Sequence, residues 1–355
     1  MRRTKWGLER SFKNHAYFTN LVGLLSELAC RSAHLYGRIS GKERGSVMYH
    51  SILVPLDGSP AGEQALPLAC SIAQQTSATL HLVHVHTLND GIYIEGMPVI
   101  DDQLHGLGRD HEHAYLDQVR TRLLTNAALN IISANPDCDE TVAHTLRRYS
   151  IAHANDLVVM TTHGRSGIAQ FWLGSVADAL LRITSHPLLL VHAHDGDAAA
   201  PSAAAAHILI PLDGSALAEQ IIEPALALGN PMGAAYVVLQ IVQPTMLRGP
   251  VPYADPVDLD PDGTQRRQAE AHQYLDAVAQ RIQSTGASVT TMVRIAEHSA
   301  QAVLDAAQQH AITLIALATH GRSGFRRAFL GSTADKVVRG TTLPVLMYRP
   351  AGYET

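Results

Sequence analysis

Short apolar runs alternate along the chain with longer segments in which apolar residues recur every three or four positions. The run ILVPL at 52–56, for example, precedes a segment at 61–75 with apolar residues at 65, 68, 69, 72 and 73. The first pattern is typical of buried strands and the second of amphipathic helices. This alternation predicts parallel strands joined by right-handed crossovers, with helices covering both faces of an open α/β sheet.

The strand–helix pattern runs through the chain twice. In the first half, strands are predicted at 52–56, 79–85, around 131, 156–161 and 187–191, and helices at 61–75, 109–128, 140–153 and 176–184. In the second half, strands are predicted at 207–212, 235–242, 288–295, 313–318 and 344–348, and helices at 216–228, 264–284, 299–309 and 333–339.

Two motifs repeat at a nearly constant offset. SILVPLDGSP at 51–60 recurs as HILIPLDGSA at 207–216, and THGRSG at 162–167 recurs at 319–324. A constant offset over separate motifs indicates a duplicated domain of ordinary size. We predict domains at 48–193 and 207–350, joined by an Ala-, Gly- and Pro-rich linker at 194–206.

Composition limits the function. The chain has 355 residues, 46% of them hydrophobic, and a net charge of -5, which argues against nucleic-acid binding through bulk electrostatics. Three dispersed cysteines without a CxxC pair indicate neither a disulfide framework nor a zinc knuckle, and they fit a reducing cytoplasm. We also expect no membrane span, because no apolar run reaches the required length.

Residues 1–47 are basic, with nine Lys and Arg against three Asp and Glu. Asn20 and Glu27 interrupt their partly apolar stretch, which disfavours a signal or transit peptide. Glu27 also argues against lipid attachment at Cys30. Met48 lies three residues before the first strand run and is an alternative natural start, which would make 1–47 an upstream extension.

Both repeated motifs follow predicted strands. In a doubly wound sheet such strand ends meet in a ligand-binding crevice. Glycines and an arginine after the fourth strand, facing a helix N-terminus, are typical of a phosphate site, while Asp57 and Asp213 could accept hydrogen bonds from ribose. The alternatives are structural: Asp-Gly-Ser is also a tight turn before a helix, and Ser175 and Ser332 could be N-caps in a capping box with Asp178 and Asp335.

The motifs VPLDGS, LVHV, TTHGRSG and LGSVAD, in this order and spacing, resemble the universal stress protein family from about Met48 to Pro350. The resemblance implies two tandem flavodoxin-like domains, each an open five-stranded parallel sheet of order 3-2-1-4-5, similar to adenine nucleotide alpha-hydrolases. It implies an adenine nucleotide, ATP with or without Mg²⁺, as ligand. The family's ATP signature is Gly-x2-Gly-x9-Gly-Ser/Thr, but Thr161 and Ala318 hold the place of its first glycine.

Residue by residue, the resemblance implies that Asp57 and Asp213 contact ribose and adenine, and that the backbone at Val85 and Ile241 lines the adenine pocket. The implied phosphate contacts are Gly164, Arg165, Gly174, Ser175 and Val176 in the first half, and Gly321, Arg322, Gly331, Ser332 and Thr333 in the second. Neighbouring contacts are Pro55, Leu56, Met160 and Thr161, and Pro211, Leu212, Leu317 and Ala318. The weaker third strand and Thr161 favour the second site over the first.

Motifs of catalysis are missing from the sequence. It contains no GxxxxGK[ST], GxSxG, HExxH or GxGxxG motif in the required context, and we interpret His163 and His320 as supports of the glycine loop. We therefore expect a nucleotide-binding regulator of the stress response and not an enzyme. The alternatives are a scaffold of the same fold with empty crevices, and a slow ATP hydrolase. The resemblance further implies that the two domains pair through their last strands and that whole chains dimerise.

Two motifs resemble metal sites, but the arrangement of their residues argues against metal binding. His84 and His86 share a strand face, but His111 and His113, two apart on a helix, point in different directions. DLDPDG at 258–263 resembles the start of a calcium loop, but Ala269 occupies the position that needs a bidentate glutamate. We expect an acidic loop before a helix there, and no metal site in the chain.

Overall fold

The computed structural model describes residues 49–86, 93–94, 97–98, 102–123, 128–133, 141–162, 173–193, 207–246, 259–319 and 330–349. For 93–94, 97–98, 102–109, 128–133, 246 and 259 it describes the backbone alone. The predicted extension at 1–47 and the predicted linker at 194–206 lie outside these residues.

The first half alternates strands and helices. Its strands are β1 (Ser51–Leu56), β2 (Thr79–His86), the short pair β3 (Tyr93–Ile94) and β4 (Met97–Pro98), β5 (Ala128–Ser133), β6 (Leu157–Thr161) and β7 (Leu188–Val191). Its helices are α1 (Pro60–Glu63), α2 (Leu66–Thr76), α3 (Asp102–Leu123), α4 (Val142–Ala152) and α5 (Ser175–Ile183).

The second half repeats this order. Its strands are β8 (His207–Leu212), β9 (Ala235–Val242), the short pair β10 (Thr245–Met246) and β11 (Leu259–Asp260), β12 (Ser288–Ile295), β13 (Leu314–Ala318) and β14 (Val345–Tyr348). Its helices are α6 (Ala216–Glu219), α7 (Ile222–Gly229), α8 (Pro261–Gln283), α9 (Ser299–Gln309) and α10 (Ser332–Gly340). A 3₁₀ turn, Asn230–Met232, follows α7.

Ten strands form one sheet in the order β12-β9-β8-β13-β14-β7-β6-β1-β2-β5. Within each half the strands are parallel and have the order 3-2-1-4-5. The last strands, β7 and β14, run antiparallel side by side, with Leu189 opposite Leu346. The fold class expected from the sequence, two doubly wound α/β halves, is therefore present.

Helices cover both faces of this sheet. Ile52, Val54 and Leu56 of β1 point to the face that is covered by α2, α3, α7 and α8. Leu53 points to the opposite face, which is covered by α4, α5, α9 and α10. Because successive residues of a strand point to opposite faces, both of which are covered, β1 is apolar at nearly every position.

The helix predicted at 61–75 is two helices, α1 and α2, and the helix predicted at 216–228 is likewise divided into α6 and α7. The prediction of one continuous helix was wrong in both halves. Pro67 and Pro224 lie in the first turns of α2 and α7. Each proline lacks an N–H and crowds the carbonyl four residues earlier, which is tolerated at a helix start but not in its interior.

Two long helices begin earlier than expected. The sequence predicts a loop from 87 to 108, but α3 begins at Asp102. The helix predicted at 264–284 begins at Pro261, inside the calcium-like motif, because the Asp260 side chain caps it by accepting a hydrogen bond from the Gly263 N–H at 2.9 Å. None of the helices among the described residues is long and apolar enough to cross a membrane.

Candidate functional site

The first and fourth strands of each half separate at their carboxyl ends. β1 pairs with β2 over six positions but with β6 over two, at Ile52–Leu157 and Leu53–Val158. In the second half β8 pairs with β13 over two positions as well. This divergence lies at the point where the winding of the sheet reverses, which is where doubly wound folds form a ligand-binding crevice.

Asp57 comes directly after β1 and organises the turn that leads into α1. Its Oδ1 accepts hydrogen bonds from the Ser59 N–H at 3.0 Å and the Ser59 Oγ–H at 2.7 Å. Ser59 Oγ in turn accepts from the Gly62 N–H at 3.0 Å, which caps α1. The structural alternative that the sequence allows, a turn before a helix cap, is therefore present, and it fixes the carboxyl group at the edge of the crevice.

Asp213 forms the same turn in the second half. Its Oδ1 accepts from the Ser215 N–H at 3.0 Å and from the Ser215 Oγ–H at 2.6 Å, and Ser215 Oγ accepts from the Ala218 N–H at 3.1 Å. Gly58 and Gly214, which follow the aspartates, both have φ near +81°. Glycine adopts this backbone conformation without strain, which explains the Asp-Gly-Ser sequence in both halves.

A glycine, and not the predicted serine, caps the helix after the fourth strand. Gly174 and Gly331 are the N-cap residues of α5 and α10, and Ser175 and Ser332 are the first helical residues, with their side chains exposed. The capping box was therefore wrong: Asp178 and Asp335 instead pair with arginines one turn later, Arg182 and Arg339. Since glycine has no side chain, the cap residue leaves the first N–H groups of the helix to other partners.

The same glycines connect the helix to the fourth strand. The Gly174 N–H donates to the Thr162 carbonyl at 2.7 Å, and the Gly331 N–H donates to the Thr319 carbonyl at 2.8 Å. A Cβ atom at Gly331 would lie 3.1 Å from the Thr319 carbonyl oxygen. The helix N-terminus is therefore held directly against the end of the strand, within the crevice.

Strand register places the aspartates beside these helix starts. Leu53 pairs with Val158 and Leu209 with Ile315, so four residues further along Asp57 is level with Thr162 and Asp213 with Thr319. These threonines are the residues that accept from Gly174 and Gly331. The acidic turn and the glycine-capped helix of each half thus occupy neighbouring strand ends.

The predicted adenine-lining residues are level with the aspartates on the other side. Leu56 pairs with His84, so Val85 is level with Asp57; the corresponding pair of Leu212 and Gln240 makes Ile241 level with Asp213. The remaining predicted contacts among the described residues lie at the same strand ends or helix starts: Pro55, Leu56, Met160, Thr161, Val176, Pro211, Leu212, Leu317, Ala318 and Thr333. Gly164, Arg165, Gly321 and Arg322, with His163 and His320, lie outside the described residues.

The residues at the first signature position differ between the halves. Thr161 ends β6 and is buried, and Ala318 ends β13 and packs against the core. Both therefore direct most of their side chain towards protein atoms. Alanine is the smaller of the two, so the side chain at this signature position takes up less space in the second half.

A buried polar cluster lies next to the first crevice. The Glu112 carboxylate on α3 is shared by two histidines of β2, with its Oε1 2.8 Å from His86 Nδ1 and 3.5 Å from His84 Nε2. Among the described residues, no group of three ligating side chains is arranged to hold a metal ion. The residues at the corresponding positions of the second half are Gln240, Val242 and Ala271, so the cluster belongs to the first half alone.

The sequence reasoning missed a second polar group at each site. It consists of a tyrosine, a glutamate and an arginine, and we call it the Tyr–Glu–Arg group. On α3, Arg122 donates to the Glu63 Oε2 of α1, and the buried hydroxyl of Tyr115 lies near the same glutamate. Burial raises the pKa of Tyr115 well above its ordinary value, and the nearby Glu63 and Asp57 carboxylates raise it further against the opposing effect of Arg122. The hydroxyl therefore stays protonated throughout the physiological pH range.

The second half contains the same group, formed by Glu219 of α6 and by Tyr274 and Arg281 of α8. A third repeat in the sequence could have revealed it: HAYLDQVRTR at 113–122 and HQYLDAVAQR at 272–281 share His, Tyr, Leu, Asp, Val and Arg at the same spacing. Leu275 and Val278 are core residues, whereas Tyr274 is half-buried and Arg281 is exposed. The repeat thus preserves more than the packing of the helix.

Comparison with known proteins agrees with this architecture. Residues 48–192 and 205–349 each match the model of the universal stress protein family. A universal stress protein of Mycolicibacterium smegmatis is 28% identical over 216 residues, which cover 59% of this chain and 67% of the relative. One of Mycobacterium bovis is 22% identical over 306 residues, covering 84% of this chain and 97% of the relative.

A solved structure shows the same fold along nearly the whole chain. The crystal structure of a universal stress protein from Archaeoglobus fulgidus superposes with a TM-score of 0.58 at 16% identity, covering 87% of this chain and 99% of that one. The two family matches span most of the sequence and coincide with the two halves of the sheet. The chain therefore belongs to the universal stress protein family and carries two of its domains in tandem.

Proposed function

We propose that each half binds ATP, with or without Mg²⁺, and that the chain regulates the stress response by presenting its nucleotide occupancy to protein partners. The observation that supports this most directly is the pair of neighbouring strand ends in each half, one carrying an acidic turn and the other a glycine-capped helix. A phosphate is stabilised by helix N–H groups and a ribose by a carboxylate, so the two features together suit a nucleotide.

The described residues suggest how the ligand would lie. The N–H groups at the starts of α5 and α10, from Ser175, Val176, Ser332 and Thr333, would hold phosphate oxygens. Asp57 and Asp213 would accept from the ribose hydroxyls, with Val85 and Ile241 beside the base. The close approach of Gly331 to Thr319 supports this fit, because a glycine there lets the helix start reach the crevice floor.

The proposal is for binding without turnover. The sequence offers neither the lysine of a phosphate-binding loop nor a base with an evident role, and a nucleotide sensor needs slow hydrolysis. Release of phosphate from ATP above the level of an Arg322→Ala variant would instead favour an ATP hydrolase. We also propose a cytoplasmic location and dimerisation of whole chains. The free thiol of Cys70 agrees with a reducing compartment. The outer strands β5 and β12 are sheet edges that a second chain could cover.

Asp213→Asn and Asp213→Ala together test the nucleotide site. Asparagine keeps an oxygen for the turn at Ser215, so Asp213→Asn should retain the melting temperature of the parent. It loses the charge, however, and should bind ATP about tenfold more weakly in the second half, as measured by isothermal titration calorimetry. Asp213→Ala should lose both the turn and the affinity.

Asp276→Asn is the matched control, because Asp276 lies exposed on α8 in the same half. It should change neither quantity. If the parent chain gives no binding heat with ATP, or if Asp213→Asn binds ATP as the parent does, the proposal is wrong. The interaction scaffold with empty crevices would then be the better interpretation.

A further inference from the structure

A chain of contacts connects each long helix to the aspartate turn. In the first half, Arg122 of α3 donates to the Glu63 side chain, and the Glu63 N–H donates to the Ser59 carbonyl at 3.3 Å. Ser59 in turn donates to Asp57 Oδ1 through both its N–H and its hydroxyl. Helix α1 is therefore fixed from one side by α3 and fixes the carboxylate on the other side.

Helix α1 also touches the carboxylate directly. A Cβ atom added at Gly62 would lie 2.4 Å from Asp57 Oδ1, so the backbone of α1 passes close to the carboxylate. The short helix has four residues, and Gly62 is the buried one. The contacts of Glu63 are among those that hold the helix in place.

The second half repeats the chain of contacts with different neighbours. Arg281 donates to Glu219 Oε2 at 2.5 Å, and the Glu219 N–H donates to the Ser215 carbonyl at 3.2 Å. Ala218 replaces the glycine, yet the hydrogen bonds to Asp213 Oδ1 are retained. The Tyr–Glu–Arg group has therefore been kept although the residues around it have changed.

Stability alone does not account for this group. The side chains of Arg122 and Arg281 are 59% and 61% exposed, and ion pairs at such exposure contribute little to the free energy of unfolding. The tyrosine hydroxyls are buried and lie near the glutamates and the aspartates that would meet the ribose. The group is placed to act on the orientation of the turn.

We infer that Tyr115, Glu63 and Arg122, and equally Tyr274, Glu219 and Arg281, are positioning residues for the aspartate and set the selectivity of each site for ribose over deoxyribose. This inference rests on the proposed nucleotide binding. A carboxylate distinguishes ribose from deoxyribose only if it is held at hydrogen-bond distance from the hydroxyls, and small displacements weaken such contacts strongly.

The test uses the full-length chain carrying Asp57→Ala, so that the second site is measured alone. Calorimetry compares ATP with 2′-deoxy-ATP and 3′-deoxy-ATP, with and without Arg281→Gln. The substitution should weaken ATP binding about threefold to fivefold, the limit that an exposed ion pair sets, and leave the binding of the deoxynucleotides nearly unchanged, which removes most of the selectivity. The melting temperature of the ligand-free chain should stay unchanged, because the broken ion pair is exposed.

Arg266→Gln is the matched control, since Arg266 is another exposed arginine of α8, with its Nε donating to the Asp262 carbonyl. It should bind all three nucleotides as the Asp57→Ala chain does. Glu219→Gln should reproduce the effect of Arg281→Gln, and the exchange Glu219→Arg with Arg281→Glu should restore part of the selectivity.

The two proposals fail in different ways. If the parent binds ATP but Arg281→Gln keeps its selectivity, or loses affinity equally for all three nucleotides, the positioning role is wrong and nucleotide binding stands. If neither the parent nor the Asp57→Ala chain binds ATP, the proposed function is wrong and the inference falls with it.

Discussion

At the scale of single residues, Gly331 has little room for a side chain. Its φ of -59° suits any amino acid, so the restriction comes from the Thr319 carbonyl oxygen, 3.1 Å from where a Cβ would lie. We expect Gly331→Ala to push the helix start away from the strand. The expected result is about tenfold weaker ATP binding in the second half by calorimetry, because the N–H groups of α10 would move from the phosphate.

Gly340→Ala provides the control at the other end of the same helix. A Cβ at Gly340 would meet a methyl group of Leu304 at 2.6 Å, and this flexible side-chain end can move. The variant should bind ATP as the parent does. Equal loss of affinity in both variants would mean that α10 responds as a whole and that Gly331 has no special role.

The glycine cap shows what sequence reasoning could not decide at this scale. In Gly-Ser both residues are acceptable N-caps, and serine is the stronger one, so the sequence favoured Ser175 and Ser332. The hydrogen bonds of Gly174 and Gly331 to the strand decide the matter, and they depend on a long-range contact. The aspartates were predictable because Asp-Gly-Ser after an apolar run determines its own turn.

At the scale of elements, β2 and α4 meet at a histidine. His81 Nδ1 lies 3.0 Å from the Tyr149 hydroxyl, and the ring is edge-on to Tyr149 and His153. Burial, and then the charge of His153, lower the pKa of His81. The folded chain therefore binds this proton less readily than the unfolded chain, so its contribution to stability is complete above about pH 6.5 and is lost as the pH falls below that value.

His81→Gln should therefore flatten the loss of unfolding free energy between about pH 7 and pH 5, as measured by urea denaturation. Part of the loss will remain, because burial also lowers the pKa of His186. His111→Gln, exposed on α3, should leave the slope unchanged. A steeper slope in His81→Gln than in the parent would contradict the assignment.

The boundaries of helices were predictable where the apolar periodicity ends at the same residues as the helix. Helix α9 lies where the sequence predicts it, at 299–309, whereas α1 and α2 were merged because the apolar periodicity continues across Pro67. The Tyr–Glu–Arg group was missed for another reason. Its members come from two helices, and the sequence shows which residues repeat but not that Glu63 and Arg122 meet.

At the scale of the whole molecule, the duplication and the α/β fold were predictable because they depend on patterns that extend over many residues. The two halves meet where β7 and β14 pair, and Leu188, Leu189, Leu346 and Met347 are fully buried there. One core cluster continues across this junction, from Ile52 in the first half to Ile208 in the second. We therefore expect the two domains to unfold together.

Leu189→Asp tests this coupling. Leu189 lies opposite Leu346, and a carboxylate there is buried without a partner, at a cost of about 3 to 5 kcal/mol in unfolding free energy. Calorimetry should show one transition for the parent. In the Leu189→Asp variant, calorimetry should show two transitions, because the first domain melts earlier while the second keeps its own core.

Leu146→Ala is the control, because Leu146 is a buried residue of α4 away from the junction. This variant should lower the temperature of a single transition. One transition in Leu189→Asp would mean that the domains are coupled by more than the β7–β14 junction.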